Sequence, residues 1–225
     1  MDGRAIRWKR HNDERRRRIV EAAIALIEEE GAQVSLQAIG ERAGLSRSVV
    51  YRHFADRREL DVAVRVHILE GLWSQLLPSV ELRGTVRETV AGAVGVYVGW
   101  AVEHPRLHQL ADYDTATDGQ GPLQQGIDMI AARIGEIVLA VFELSGAEVS
   151  EEDKAAVDPA IYGLVGLIFG TVRRWVHLGE KIPDAAHLTR MLTDTVVAVM
   201  ELYARPYGIE LDPDLPVEKL VANVG

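Results

Sequence analysis

The chain has 225 residues, 48% of them hydrophobic, and no cysteine. That is enough for one large or two smaller domains, and the missing thiols exclude disulfide staples and thiolate chemistry. Net charge is −9, but residues 1–60 hold 13 Lys and Arg against 10 Asp and Glu, while residues 61–225 hold 12 against 24. A basic head on an acidic body is the pattern of a nucleic-acid-binding domain joined to a domain with another task, and the acidic body would turn the head toward the polyanion.

Residues 1–11 lack apolar periodicity and carry Arg4, Arg7, Lys9 and Arg10 around Trp8. They read as a solvated basic arm able to order on DNA, along phosphates or in the minor groove. Helix one is expected from Asn12 or Asp13 to Glu30, with Ile19, Ala22, Ala23, Leu26 and Ile27 as its apolar stripe and Gly31 beyond its end. Some of Arg15–Arg18 should face the DNA backbone.

Ser35 to Arg58 organises the chain. Gln37–Ala43 has helical spacing, and Gly44 stands where a helix leaves through a left-handed residue, a conformation that costs glycine nothing. Ser46 has the side-chain oxygen suited to an N-cap. The seven residues Arg47–His53 then form a helix that turns Val50 inward and leaves Arg47, Ser48, Tyr51, Arg52 and His53 outward. Two short helices across a tight turn, the second rich in donors, make a helix-turn-helix whose second helix enters the major groove.

These residues resemble the N-terminal domain of the TetR family of bacterial regulators. The resemblance lies in Ala22–Ala23, Gly31, Ile39, the Ala43–Gly44–Leu45–Ser46 turn, Tyr51-x-His53-Phe54 and Arg57-x-x-Leu60. It implies DNA contacts by Ser35, Ser46, Arg47, Ser48, Val49, Tyr51, Arg52 and His53, with a phosphate contact for Arg57. Two positions depart from the family pattern. Gly40 stands where Ala is usual and permits closer helix approach; Val49 replaces a common Thr and offers only apolar contact, such as to a thymine methyl.

Asp56-x-x-Glu59 opens helix four, in which Leu60, Val64, Ile68, Leu72 and Leu76 line one face down to Pro78. This helix would join head to body, so its tilt would set the spacing of the two reading helices in a dimer. Thr85-x-x-Glu88 starts the next helix, with Val86, Val90, Val94, Tyr97 and Trp100 in its stripe, ending near His104–Pro105. A short helix from Arg106 to about Tyr113 and a polar loop over 114–122 follow. Leu123–Leu144 forms an amphipathic helix, and Ser150-x-x-Asp153 opens one running to about Leu178. The last major helix starts at Pro183–Asp184, and a Pro- and Asp-rich tail with a short turn near Glu218 closes the chain. No strand-like alternation of useful length occurs, so the expected class is all-α.

The expected division is a basic arm over 1–11, a helix-turn-helix domain over 12–60, a helical effector-binding and dimerisation domain over 61–205 and a tail over 206–225. The resemblance implies that the last two long helices pair with their copies in a homodimer. Gly163, Gly166, Gly170, Leu188, Met191, Leu192, Thr195 and Val199 are the candidate contacts, although the glycines equally suit tight packing inside one subunit. Trp73, Tyr97, Trp100, Tyr113, Ile127, Ile130, Ile134, Tyr162 and Phe169 are candidate walls of a pocket for a small hydrophobic effector, or else ordinary core.

His104, His108 and Asp112 have the spacing of metal ligands on one helix face, but Pro105 disturbs the register, and ordinary surface or packed histidines are the simpler reading. No catalytic triad, phosphate loop or recognisable carboxylate pair is present, so neither enzyme activity nor a cofactor is expected. The longest apolar run, Pro159–Val172, is shorter than the roughly 18–20 residues that cross a bilayer, and no signal-like segment opens the chain. The expectation is a cytoplasmic regulator, most simply a repressor released from a palindromic double-stranded DNA operator by its effector. An architectural DNA-binding protein with a filled body and a metal-responsive regulator are the alternatives.

Overall fold

The computed structural model describes residues 3–81, 83–112, 121–178 and 180–216. The protein is all-α. The helices are α1 (Gly3–Glu30), α2 (Leu36–Arg42), α3 (Arg47–His53), α4 (Arg57–Ser79), α5 (Val86–Glu103), α6 (Pro105–Asp112), α7 (Pro122–Ser145), α8 (Glu151–Val176) and α9 (Ala185–Ala204). A 3-10 turn over Arg205–Tyr207 follows. The one β-type contact among the described residues is an isolated bridge between Thr85 and Pro216.

Local chemistry sets most boundaries. Gly31 and Gly44 have φ of 94° and 65°, so α1 and α2 both leave through the left-handed region that favours glycine. Thr85 and Glu88 close a reciprocal capping box, the Thr85 N–H donating to Glu88 Oε2 at 3.0 Å and the Glu88 N–H to Thr85 Oγ1 at 3.1 Å. Ser150 and Asp184 cap α8 and α9 by accepting from the backbone N–H groups of Asp153 and His187. Each of these side chains satisfies a donor that the first helical turn leaves unpaired.

One boundary differs strongly from expectation. Helix α1 starts at Gly3, not at Asn12 or Asp13, so the expected arm is the first part of a 28-residue helix. Residues 4–11 contain no proline or glycine and are rich in straight-chain side chains, which propagate a helix once the packed part has nucleated it. The side chains of Arg4, Arg7, Trp8, Lys9 and Arg10 lie outside the described residues, as does the turn expected near Glu218.

The described chain forms two compact units. The first takes the chain through Gly71 and the α6 segment from His104 onward; the second takes Leu72–Glu103 and the chain from α7 onward. In the first unit α1, α2 and α3 bury Ile19, Ala23, Ile27, Ile39, Val50 and Phe54, joined by Leu60, Val64 and Leu69 of α4. In the second, α5 packs on α9 and α8 on α7, with α5 also touching α8. The chain after α9 returns to the start of α5, where Arg87 bonds Asp194 and Asp214, each at 2.7 Å. The tail through residue 216 is therefore tied to the second unit.

Candidate nucleic-acid interface

Helix α3 is too short to stand alone, so packing must hold it. Its inward anchor is Val50, which has no exposed surface. Gly40 of α2 faces it: a Cβ there would lie 3.1 Å from Val50 Cγ2 and 3.2 Å from the Leu45 carbonyl, tighter than ordinary contact. Helix α2 is capped by Ser35, whose hydroxyl accepts from the Ala38 N–H at 3.1 Å. Arg47, Ser48, Tyr51 and Arg52 are exposed and Val49 is half-buried. The Arg47 guanidinium lies 5.3 Å from the centre of the Tyr51 ring, so the two form a single cationic and aromatic edge.

Three expected side chains behave differently. Ser46 has the backbone of an N-cap but makes no side-chain cap bond; its hydroxyl pairs with that of Ser48 at 3.0 Å. His53 is buried, not outward, because it lies three residues after Val50 and shares the inward face. Its Nε2 is buried without a hydrogen-bond partner among the described residues. Burial first, then Arg52, Arg15 and Arg16, holds the imidazole below the usual histidine range.

Arg57 is half-buried and turned onto the protein. Its Nε donates to Asp61 at 2.7 Å, Nη2 to the Ala32 carbonyl at 2.9 Å, and Nη1 to the Val34 carbonyl. It thus ties the start of α4 to the link between α1 and α2. Two arginines of the 15–18 run do similar internal work, which the sequence reading missed. Arg18 Nη2 donates to the Ala43 carbonyl at 2.6 Å, where α2 ends, and Arg16 Nη1 to the His53 carbonyl at 2.6 Å, where α3 ends. A usable signal existed for Arg16: it stands seven residues before the buried Ala23, on the edge of the same stripe.

In the second unit the expected pocket residues divide. Trp73 and Tyr97 are buried and both meet Phe169, with ring centres 5.8 and 4.3 Å apart. The Trp73 indole lies over Gly126 so closely that any Cβ there would collide with it. Trp100, Ile127 and Ile130 are buried and Ile134 is half-buried. Tyr162 is exposed, its hydroxyl accepting from Gln124 at 2.7 Å, so it is not part of that ring cluster. Tyr113 lies outside the described residues. A separate cavity of about 420 Å³ lies between Leu77, Pro78 and Glu81 on one side and Met129, Ala132, Arg133 and Glu136 on the other.

The expected dimer contacts divide too. Leu188 and Leu192 are 2% and 1% exposed within the chain, since α9 turns them onto its partner α5, so neither is accessible to a second subunit. Met191 and Thr195 are exposed and Val199 is half-buried. Gly163, Gly166 and Gly170 are exposed, and a Cβ on any of them would meet nothing within 4 Å. Tight packing inside the subunit is therefore excluded for this stripe.

Helix α8, capped by Ser150, runs over nearly the length expected for it and extends beyond the apolar run Pro159–Val172 at both ends. By length and composition alone it is long and apolar enough to cross a membrane, yet only 17% of its most apolar window is buried in the chain. It opens on Glu151, Glu152 and Asp153 and ends in Arg173 and Arg174. The expected metal positions are used otherwise: His104 pairs with Glu28, and His108 is buried in α6. No cluster of three ligating side chains occurs among the described residues.

A helix-turn-helix that anchors a short helix through Val50 and His53 and presents Arg47, Ser48, Tyr51 and Arg52 defines a DNA-binding transcriptional regulator. Residues 19–69 match the model of the bacterial regulatory proteins, tetR family. The chain is 25% identical over 181 residues to an uncharacterised helix-turn-helix transcriptional regulator of Mycobacterium tuberculosis, Rv0472c, a match spanning 78% of this chain and 73% of that one. Its fold matches a tetR-family transcriptional regulator from Streptomyces coelicolor with TM-score 0.62 and 21% identity, over 94% of this chain and 88% of that one. It also matches RolR, solved in complex with the ligand resorcinol, with TM-score 0.57 and 17% identity, over 88% and 97%. Residues 19–69 thus carry the N-terminal helix-turn-helix domain of the tetR family type, and the rest of the chain shares the fold of such regulators.

Proposed function

We propose that the protein is a one-component repressor acting in the cytoplasm: a homodimer that holds a palindromic operator and lets go when a small hydrophobic effector enters its body. The observation that carries this reading is α3, where Val50 is fully buried while Arg47, Ser48, Tyr51 and Arg52 stand exposed. Two copies related by a two-fold axis would set their reading helices about 34–36 Å apart, one turn of DNA. The open glycine stripe of α8, with Met191 and Thr195 of α9, supports a surface that a second copy covers.

The apolar, aromatic character of Trp73, Tyr97 and Phe169 supports a hydrophobic effector, and RolR was solved with the aromatic ligand resorcinol. Helix α4 contributes residues to both units, so a change in its tilt is the proposed lever; the effector must prefer one of the two arrangements.

A second reading has its own support. The Trp73 and Tyr97 rings already meet Phe169, and the indole already occupies the space over Gly126, as expected for a filled body without an effector. Genome-wide mapping of bound fragments yields the operator, and titration of the operator complex with small aromatics and lipids separates the two readings. Release by one of them supports the repressor; no release and no thermal stabilisation by any supports the filled body. Arg47→Ala should lose about 1–3 kcal/mol on the operator and far less on random DNA. Equal losses on both would reject base reading by Arg47.

A further inference from the structure

We infer that Arg16 is a positioning residue for the recognition helix, acting on sequence discrimination through α3 and not through the DNA phosphates. The inference rests on the reading of α3 as the DNA-contacting helix.

Its basis is where one side chain reaches. Arg16 leaves α1 and donates from Nη1 to the His53 carbonyl, the last of α3, at 2.6 Å. The same guanidinium lies 4.1 Å from the centre of the Phe54 ring, the fully buried residue that ends α3. It also meets Glu59 Oε1, at 3.3 Å from Nη1 and 3.4 Å from Nη2. The other oxygen of Glu59 accepts from the Ala55 N–H at 2.8 Å, and the Glu59 N–H donates to Asp56 Oδ1 at 2.9 Å. Arg16 therefore holds the end of α3, its first residue beyond and the opening turn of α4 in one arrangement.

The chemistry suits that task. The last carbonyls of a helix lack intrahelical donors and carry the negative end of its dipole, so a cation there is favourable. A guanidinium can serve a carbonyl, a carboxylate and a ring face together, because its donors form a planar fork and its flat face stacks; an ammonium cannot. With seven residues and Val50 as its inward anchor, α3 can pivot unless its C-terminal end is fixed. A small pivot displaces Arg47 and Arg52 from base edges while leaving the overall charge unchanged.

The test uses the full-length protein and two duplexes of equal length, one selected from the genomic fragments the wild type binds and one of random sequence. Affinities are measured across a salt series for the wild type, Arg16→Ala, Arg16→Lys and Glu59→Gln, at a temperature where circular dichroism shows each variant folded. Arg16→Lys should lose about tenfold in the ratio of selected to random affinity, with the wild-type salt slope retained. Glu59→Gln removes a negative charge, so random-sequence affinity should rise, yet the ratio should still fall.

Two results would overturn the inference. Arg16→Lys could match the wild type while Arg16→Ala flattens the salt slope by about one per subunit, which marks a phosphate contact. Alternatively, every folded variant could keep the wild-type ratio. A wild type that prefers no duplex would instead defeat the reading of α3 on which the inference stands. Should Arg16→Ala fail to fold, Arg16→Lys and Glu59→Gln decide the matter alone.

Discussion

Arg57 separates a DNA contact from an internal clamp most cleanly. Replacing it with Ala removes three interactions: the pair with Asp61 at 2.7 Å, the bond to the Ala32 carbonyl at 2.9 Å and the bond to the Val34 carbonyl. The Arg57 and Asp61 side chains are 28% and 24% exposed, so their pairing is partly screened and worth about 1 kcal/mol. Val34 is only 6% exposed, so its carbonyl gains little water when the guanidinium leaves, and a lost charge-assisted bond of this kind costs about 1.5–3 kcal/mol. Ala32 is exposed and its carbonyl can be hydrated, which adds little. The expected loss is about 2.5–4 kcal/mol. At a urea slope of about 1–3 kcal/mol per molar, the midpoint falls by about 1–4 M. Urea unfolding followed by circular dichroism gives the stability, and DNA affinity across a salt series gives the electrostatic contribution. Arg57→Lys, which keeps the charge and loses the fork, should be destabilised nearly as much. An unchanged urea midpoint for Arg57→Ala, with the salt slope reduced by about one, would refute the clamp and restore the phosphate contact that the family resemblance implies.

The buried His53 should make the head acid-sensitive. Its folded-state pKa lies below the unfolded value near 6.5, so its contribution is complete above that pH and is lost as pH falls through the folded value. Urea midpoints at pH 8 and pH 5.5 should therefore differ more for the wild type than for His53→Gln; equal differences would exclude His53 as the source. Gly126→Ala gains about 0.5–1 kcal/mol of helix propensity but forces the Trp73 indole from its seat, at about 1–3 kcal/mol. A net loss of about 1–2 kcal/mol with a changed tryptophan emission is expected, and a more stable protein would refute the packing. Gly166→Ala meets nothing inside the chain and should stabilise an isolated subunit by about 0.5–1 kcal/mol. If α8 covers a second copy, sedimentation should show weaker self-association; unchanged association would remove that stripe from the interface.

Much of this was legible along the chain because it depends on neighbours three or four residues apart. The capping box of Thr85 and Glu88, the caps at Ser150 and Asp184, and the left-handed exits at Gly31 and Gly44 are local chemistry. So is the turning of Val50 inward and of Arg47, Ser48, Tyr51 and Arg52 outward on α3. Even the burial of His53 could have been read, since it shares the phase of Val50. The start of α1 was missed because an apolar stripe was required of a segment whose helical state rests on propensity and on continuity with a packed helix.

The destinations of long side chains were not legible. Arg15–Arg18 and Arg57 look alike as sequence, a basic patch with several cations free for phosphates. The fold directs Arg16, Arg18 and Arg57 onto carbonyls 37, 25 and 23 residues away, where helices end or links bend. In the same way, Leu188 and Met191 belong to one apolar helix, and only its contact with α5 buries the first and leaves the second exposed. Short-range chemistry in the sequence determined where the helices lie, which residue anchors the recognition helix and that the protein is a helix-turn-helix regulator. Tertiary structure alone decided which cations stay exposed and which apolar side chains stay uncovered, because both depend on what the rest of the chain brings within reach.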